Sequence, residues 1–388
     1  MKVAFIDFIK ENSPGLGKRM NALADGARQA GIDNVDFYYL NRLKHDTGGI
    51  VRYIKFREKI FPFNYFDFFF RRYRIIEKSV NLKRYDFIIL RYPFGDPSGV
   101  KFTLKYNTIT VHHSLEISRY KSYLKEKLSP LIRGLKIIRL KLEILFGPKI
   151  LEHAKGIIGV TDEIRKAELS RINNDIPSAA ISNGITVKNI SHTGFKKFDG
   201  TNLDLVMIFG SINPWYGVDR IISAVNRYQG SVKITLHIIG NVIKSDLRHM
   251  ASDFSMIKFH GFKNGKELDE IMKNMNLAIC TLAFFRIDLN EACSLKTREY
   301  TARGIPFVLA YQDTDLQHVD KKYRFYLPMA NNDSMIEMDQ IINFAKHMSI
   351  FGNGESISDY MRAYALRHMD WSVKLKQYIE FVEELGDS

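Results

Sequence analysis

Cysteine is almost missing from this chain. Only Cys280 and Cys293 occur, and neither belongs to a disulfide framework or a metal-ligand spacing. A reducing, cytoplasmic setting is therefore expected. There is no run of about 18 apolar residues, so no segment is expected to span a bilayer. The chain opens directly on an apolar strand, Lys2 to Phe8, without the basic, apolar and small-residue regions of a signal sequence. No repeat of about 20 to 50 residues and no low-complexity tract is present. No helix-turn-helix, zinc-finger or RNA-binding signature accompanies the basic residues, so nucleic acid is not an expected partner.

What is present is a soluble, globular composition, 45% hydrophobic and 26% charged, in 388 residues, a length that suits two domains. The net charge of +14 is unevenly spread. Lys and Arg exceed Asp and Glu by 15 within residues 1–190 and fall one short in residues 191–388. The excess gathers in Arg52, Lys55, Arg57 and Lys59, in Arg71, Arg72 and Arg74, and along Lys121 to Lys149. The first two groups flank an aromatic run from Phe61 to Phe70, and the third mixes Leu, Ile and Phe with cations at helical spacing. Cations beside apolar residues are what an anionic membrane surface binds. A buried aromatic cluster under a solvated basic face accounts for the same pattern.

Strands and helices alternate along the whole chain. In the first half, strands are expected at Lys2–Phe8, Val35–Leu40, Asp86–Arg91, Thr108–Val111, Gly156–Val160 and Ser178–Ile181. After a polar connector from Val187 to Asn202, the pattern restarts at Leu203–Phe209, Lys233–Ile239, Met256–His260, Asn276–Thr281 and Ile305–Ala310. Two such runs imply an α/β protein of two doubly wound domains, with the ligand site in a cleft between them.

Glu291 and Glu299 are the most informative residues. They bracket Ala-Cys-Ser-Leu-Lys-Thr-Arg, and helix formers from Ser294 to Arg303 stop at Gly304. Glu291 is expected in the loop after a strand and Glu299 about a turn and a half into the following helix. The helix start at Ser294, Leu295 and Lys296 offers N–H groups to an anion. Eight helical positions rise about 12 Å, too far for two carboxyl groups sharing one glycosidic bond. Each carboxylate is better suited to a different part of a long ligand.

From Gly156 onward, an ordered set of segments resembles the retaining GT-B glycosyltransferases of the "group 1" family, glycosyltransferase family 4. Gly159-Val-Thr-Asp-Glu-Ile-Arg165 resembles its strand followed by S-E-x-I/L, and Ile181-Ser-Asn-Gly-Ile185 its I-P-N-G-I/V turn. Leu205 to Asp219 resembles its G-R-x-x-x-x-K-G-x-D segment. Thr235 to Gly240 and Ile257 to Phe262 look like its L-x-I-V-G and V-x-F-x-G strands, and Glu291 to Glu299 its E-x7-E. Trp371-Ser372 is similar to the F/Y-x-W element of a tail that returns to the first domain.

The resemblance implies a GT-B fold. Its implied domains are an acceptor-binding Rossmann-like domain at 1–187, a nucleotide-sugar domain at 188–370, and a C-terminal helix at 371–388 packing back on the first. It implies that Glu291 contacts the donor sugar, that Glu299 holds the ribose, and that Ser294 and Leu295 cradle the distal phosphate. Gly210 and Gly240 would let backbone approach the nucleotide, and Phe262 and Lys263 would line the base. In the first half, Gly15 and Gly17 form a loop after the first strand that would approach the sugar. His112 and His113 stand where the family has T-x-H-D; His112 is expected on the sugar or phosphate, His113 is the alternative, and Glu116 is a partner for either ring.

One departure matters. Where the family carries an Arg and a Lys for the leaving diphosphate, this chain has Ser211 and Tyr216. Lys296, Arg298 and Arg286 are the available substitutes. The implied activity is metal-independent, retaining transfer of a sugar from a nucleoside diphosphate, with a UDP-sugar favoured and no cofactor. The implied acceptor is a glycan or lipid-linked glycan of a bacterial surface polysaccharide, met by a protein peripheral on the inner face of the membrane. A nucleotide-sugar epimerase of the same fold, or a non-catalytic binding module, stays open at this point.

Overall fold

A computed structural model of the chain describes residues 1–8, 14–41, 51–55, 63–125, 129–210, 213–247, 253–350 and 356–387. Ser211, Arg57, Lys59, Phe61 and Pro62 lie outside them, and the side chains of residues 14–18, 41, 55, 63–70, 119, 120, 122, 123 and 125 are not described. Backbone contacts divide the chain into unit 1, Met1–Asn183 with Trp371–Ser388, and unit 2, Gly184–Asp370.

Unit 1 runs β1 (Val3–Phe8), α1 (Pro14–Ala30), β2 (Val35–Asn41), β3 (Val51–Lys55), α2 (Phe63–Ser79), β4 (Phe87–Arg91), α3 (Pro97–Lys105) and β5 (Thr108–His112). It continues with α4 (Glu116–Lys125), α5 (Pro130–His153), β6 (Gly156–Gly159), α6 (Asp162–Leu169) and β7 (Ser178–Ala180). Its seven strands pair in parallel in the order β3-β2-β1-β4-β5-β6-β7. Every residue of β1 is buried, because helices cover both faces of such a sheet.

Unit 2 comprises β8 (Asn202–Ile208), α7 (Val218–Arg227), β9 (Lys233–Ile239), β10 (Ile257–Phe259), α8 (Gly265–Met272), β11 (Leu277–Ile279), β12 (Glu291–Ala292) and α9 (Leu295–Arg303). After these come β13 (Phe307–Leu309), β14 (Gln312–Asp313), β15 (Tyr326–Pro328), α10 (Met338–Ile350) and α11 (Ile357–His368). The six-stranded parallel sheet is ordered β10-β9-β8-β11-β13-β15, and β12 and β14 pair separately. Finally α12 (Trp371–Asp387) belongs to unit 1, where Trp371, Leu375, Tyr378, Phe381 and Val382 join Phe5, Phe37 and Ile89 in one apolar core.

Both sheets reverse direction of growth next to their first strand, between β1 and β4 in unit 1 and between β8 and β11 in unit 2. Such a switch point leaves a crevice at the carboxyl ends of the strands. The edge strands β3 and β15 are additional to the expected set. Both are short, and β3 carries Arg and Lys among its apolar residues, as edge strands often do. Among the described residues no helix is long and apolar enough to cross a membrane.

Candidate functional site

At the unit 2 switch point, α9 begins where the sequence places it. Ser294 caps it, its hydroxyl accepting from the Lys296 N–H at 3.3 Å, and Gly304 ends it at φ 76°. That left-handed turn admits only glycine here, since a Cβ would also lie 2.0 Å from Ser358 Oγ. Gly240, which follows β9, is at φ 148°, and a Cβ there would lie 1.8 Å from the Phe209 carbonyl oxygen. Gly210 is exposed beside it, and Phe262 is 62% exposed two residues after His260. Lys263 reaches Glu267 at 3.4 Å.

Glu291 is not in a free loop. It sits in β12, paired in register with Gln312 of β14. That short ladder is anchored by Arg298, which is fully buried. Its Nη1 donates to Asp313 at 2.5 Å and its Nη2 to Asp315 at 2.5 Å, while Thr297 Oγ1 donates to Asp313 at 2.8 Å. Arg298 therefore has no charge to offer a phosphate, and its expected role is corrected to a structural one. The same contact occupies both acids of the Asp313-Thr-Asp315 tract. Arg286 is likewise committed, bidentate to Asp219 at 2.9 and 2.7 Å. Glu299, half-buried, accepts from Arg303 Nε at 3.0 Å.

Lys296 differs from both arginines. Its Nζ is out of contact with solvent and has no hydrogen-bond partner among the described residues. It lies 3.5 Å from the centre of the Tyr216 ring, which stacks on Phe209. Burial pushes the amine down to about 7, because an ammonium removed from water without a counter-ion is costly. The ring face recovers part of that cost. Lys296 thus stands over the very residue, Tyr216, that replaces the expected lysine. Sequence proximity alone could not show this, since 80 positions separate the two.

In unit 1 the expected order of the histidines is reversed. His112 is 1% exposed, stacked on Tyr92 at 4.4 Å, with Nε2 3.1 Å from Thr110 Oγ1 and Nδ1 3.6 Å from Glu168. Burial, with the Arg171 charge nearby, pushes its ring down to about 3 and keeps it neutral. It is part of the core, and the expected contact with the sugar or phosphate is corrected. The reason is the two-residue periodicity of β5, which turns Thr110 and His112 to one face. His113 follows the strand and is half-buried. Glu116 accepts from Ser114 at 2.6 Å, and the carboxylate beside the His112 ring is Glu168. Gly15 and Gly17 lie inside the first turns of α1 rather than in a loop ahead of it, since Pro14 opens the helix. Among the described residues, no cluster of His, Cys, Asp and Glu suits a metal ion.

The sequence matches no family model, and no curated protein sequence matches it. Solved structures do match along the whole chain. Sucrose-phosphate synthase from Thermosynechococcus elongatus superposes with a TM-score of 0.64 at 14% identity, covering 100% of both chains. HepE from Anabaena, in complex with UDP, gives 0.62 at 15% identity, covering 99% of this chain and 100% of that one. It was also solved with UDP and glucose and with UDP-glucose. The lipopolysaccharide outer core galactosyltransferase WaaB gives 0.62 at 12% identity, covering 99% of each. Two parallel sheets in this order, matched end to end by these proteins, give the chain the GT-B fold of glycosyltransferases.

Proposed function

We propose that the protein is a retaining glycosyltransferase that moves a sugar from a nucleoside diphosphate, UDP being favoured, to a glycan or lipid-linked acceptor. The observation that carries this reading is Lys296. Its amine has no partner among the described residues and stands at the unit 2 switch point, on the helix start between Glu291 and Glu299. Expelling a nucleoside diphosphate requires positive charge where negative charge develops. Lys296 supplies it in place of the missing Arg and Lys. The first turn of α9 at Ser294 and Leu295 takes the distal phosphate, Glu299 the ribose hydroxyls, Glu291 the sugar hydroxyls, and the exposed Phe262 ring the base. His113 replaces His112 as the histidine on the sugar side. The leaving phosphate takes the acceptor proton, and no metal is required.

The UDP and UDP-glucose complexes of HepE support the donor class, and WaaB supports a surface glycan as product. An inner-membrane position is supported by α5. Leu131, Ile132, Ile137, Ile138, Ile144 and Leu145 are all exposed at helical spacing, with Lys141 and Lys149 among them. Flotation with anionic and neutral vesicles tests this point, and equal partition would remove it.

Thermal shift against UDP, GDP and ADP sugars tests the main reading, since a ligand of the folded state raises the midpoint. A UDP-sugar is expected to give the largest shift, and no shift with any nucleotide would overturn the proposal. Incubation with donor alone then separates transferase from epimerase: slow release of free sugar supports the former, a donor inverted at C2 the latter. The anomer of the transferred sugar, read by NMR, tests retention.

A further inference from the structure

The buried ion clusters of the described residues are matched in charge or acid-rich, with one exception. Arg72 pairs with Asp96, Arg298 with Asp313 and Asp315, and Arg171 with Glu143 and Glu168. The exception is at the unit 1 switch point. Asp7, next to last in β1, is 1% exposed, and its Oδ2 accepts from two guanidinium groups, Arg19 Nη1 at 3.1 Å and Arg91 Nη1 at 3.3 Å. Arg19 comes from α1 and Arg91 from the end of β4, so the cluster straddles the point where the sheet changes direction. It borders a narrow cleft walled by Phe5, Ile89, Val111 and Tyr378.

A single arginine would satisfy Asp7. The second leaves a net charge of +1 in a place where Arg19 is 14% and Arg91 24% exposed. Two further atoms are unmatched: Asp7 Oδ1 and Arg19 Nε are buried without a hydrogen-bond partner among the described residues. A surplus of planar donors and one spare acceptor fits an oxyanion carried next to a hydroxyl. Burial and the charge of Arg91 both lower the Arg19 pKa, the response of a cation short of anions.

We propose that Asp7, Arg19 and Arg91 recognise a phosphate or carboxylate on the acceptor sugar, the arginines binding the oxyanion and Asp7 Oδ1 accepting from a neighbouring hydroxyl. Calling the ligand an acceptor rests on the transferase reading, whereas the binding itself does not. The test is calorimetric titration of the full chain with a hexose 6-phosphate, a hexuronate and the uncharged hexose, each with UDP binding measured in parallel. At least one charged sugar is expected to bind about tenfold or more tightly than the uncharged one. Arg91→Gln should remove that preference, Arg91→Lys should keep part of it through charge without the fork, and UDP affinity should stay unchanged in both. Equal binding of charged and uncharged sugars, no binding of any, or a preference that survives both variants overturns the proposal. Loss of UDP binding with the sugar-anion preference intact would instead remove the transferase reading and leave this site standing.

Discussion

The two sheets share one arrangement of strands around a switch point, yet they fill it with opposite kinds of cation. In unit 2 the crevice holds Lys296, whose buried amine stands against an aromatic face. In unit 1 it holds Arg19 and Arg91, both bonded to one aspartate. A lysine can surrender its proton when buried, so its charge rises when an anion arrives. Arginine stays charged at every accessible pH. The first arrangement suits a diphosphate whose charge changes during reaction, and the second suits a fixed anion that only has to be held.

The comparison is broken most severely at Arg298, which is structural although it lies two residues from Lys296. Arg298→Met should strand two buried acids and cost about 3–5 kcal/mol, read as a large drop in the denaturation midpoint. A near-neutral result would return Arg298 to the ligand. Lys296→Ala and Glu291→Ala should leave the fold intact and lower turnover by about 100-fold or more. Turnover retained in both, with a verified acceptor, would place the donor elsewhere.

Lys296 also sets a pH dependence. Its folded pKa of about 7 is below the ordinary 10.5, so the unfolded chain binds more protons between these values and stability rises with pH across that window. Donor binding has the opposite sign. A bound diphosphate favours the ammonium, so affinity should fall above about pH 7, by at most about tenfold per pH unit. Lys296→Met should abolish that slope and raise the melting temperature by a few degrees. The smallest effect is expected at His112. Its folded pKa of about 3 lies below the ordinary 6.5, so the neutral ring contributes stability that is lost as pH falls from about 6.5 toward 3. His112→Phe should weaken this acid sensitivity and change turnover less than His113→Ala does. The reverse order would restore His112 to the site.

Much of the fold could be read from periodicity, because strands buried on both faces are continuous apolar runs, as in Val3–Phe8 and Lys233–Ile239. The cap and stop of α9 were equally legible, since Ser and Gly act locally at helix ends. The charge states of the site were not. Arg286, Lys296 and Arg298 are alike in sequence, and only the placement of Asp219, Tyr216, Asp313 and Asp315 around them separates two clamps from one available amine. Asp7 interrupts one run of apolar residues and Arg91 closes another, but their pairing depends on β1 lying beside β4.

The position of α12 governs the order in which the molecule can be made. The helix completes the core of unit 1, but it follows the whole of unit 2 in the chain. During synthesis the apolar surface around Phe5, Phe37 and Ile89 must therefore wait uncovered while some 190 residues, those of Gly184–Asp370, are added. Each large side chain that α12 buries contributes about 1.5–3 kcal/mol. The nascent first half thus carries aggregation-prone surface until α12 arrives, and unit 2, contiguous in sequence, is the half able to finish first.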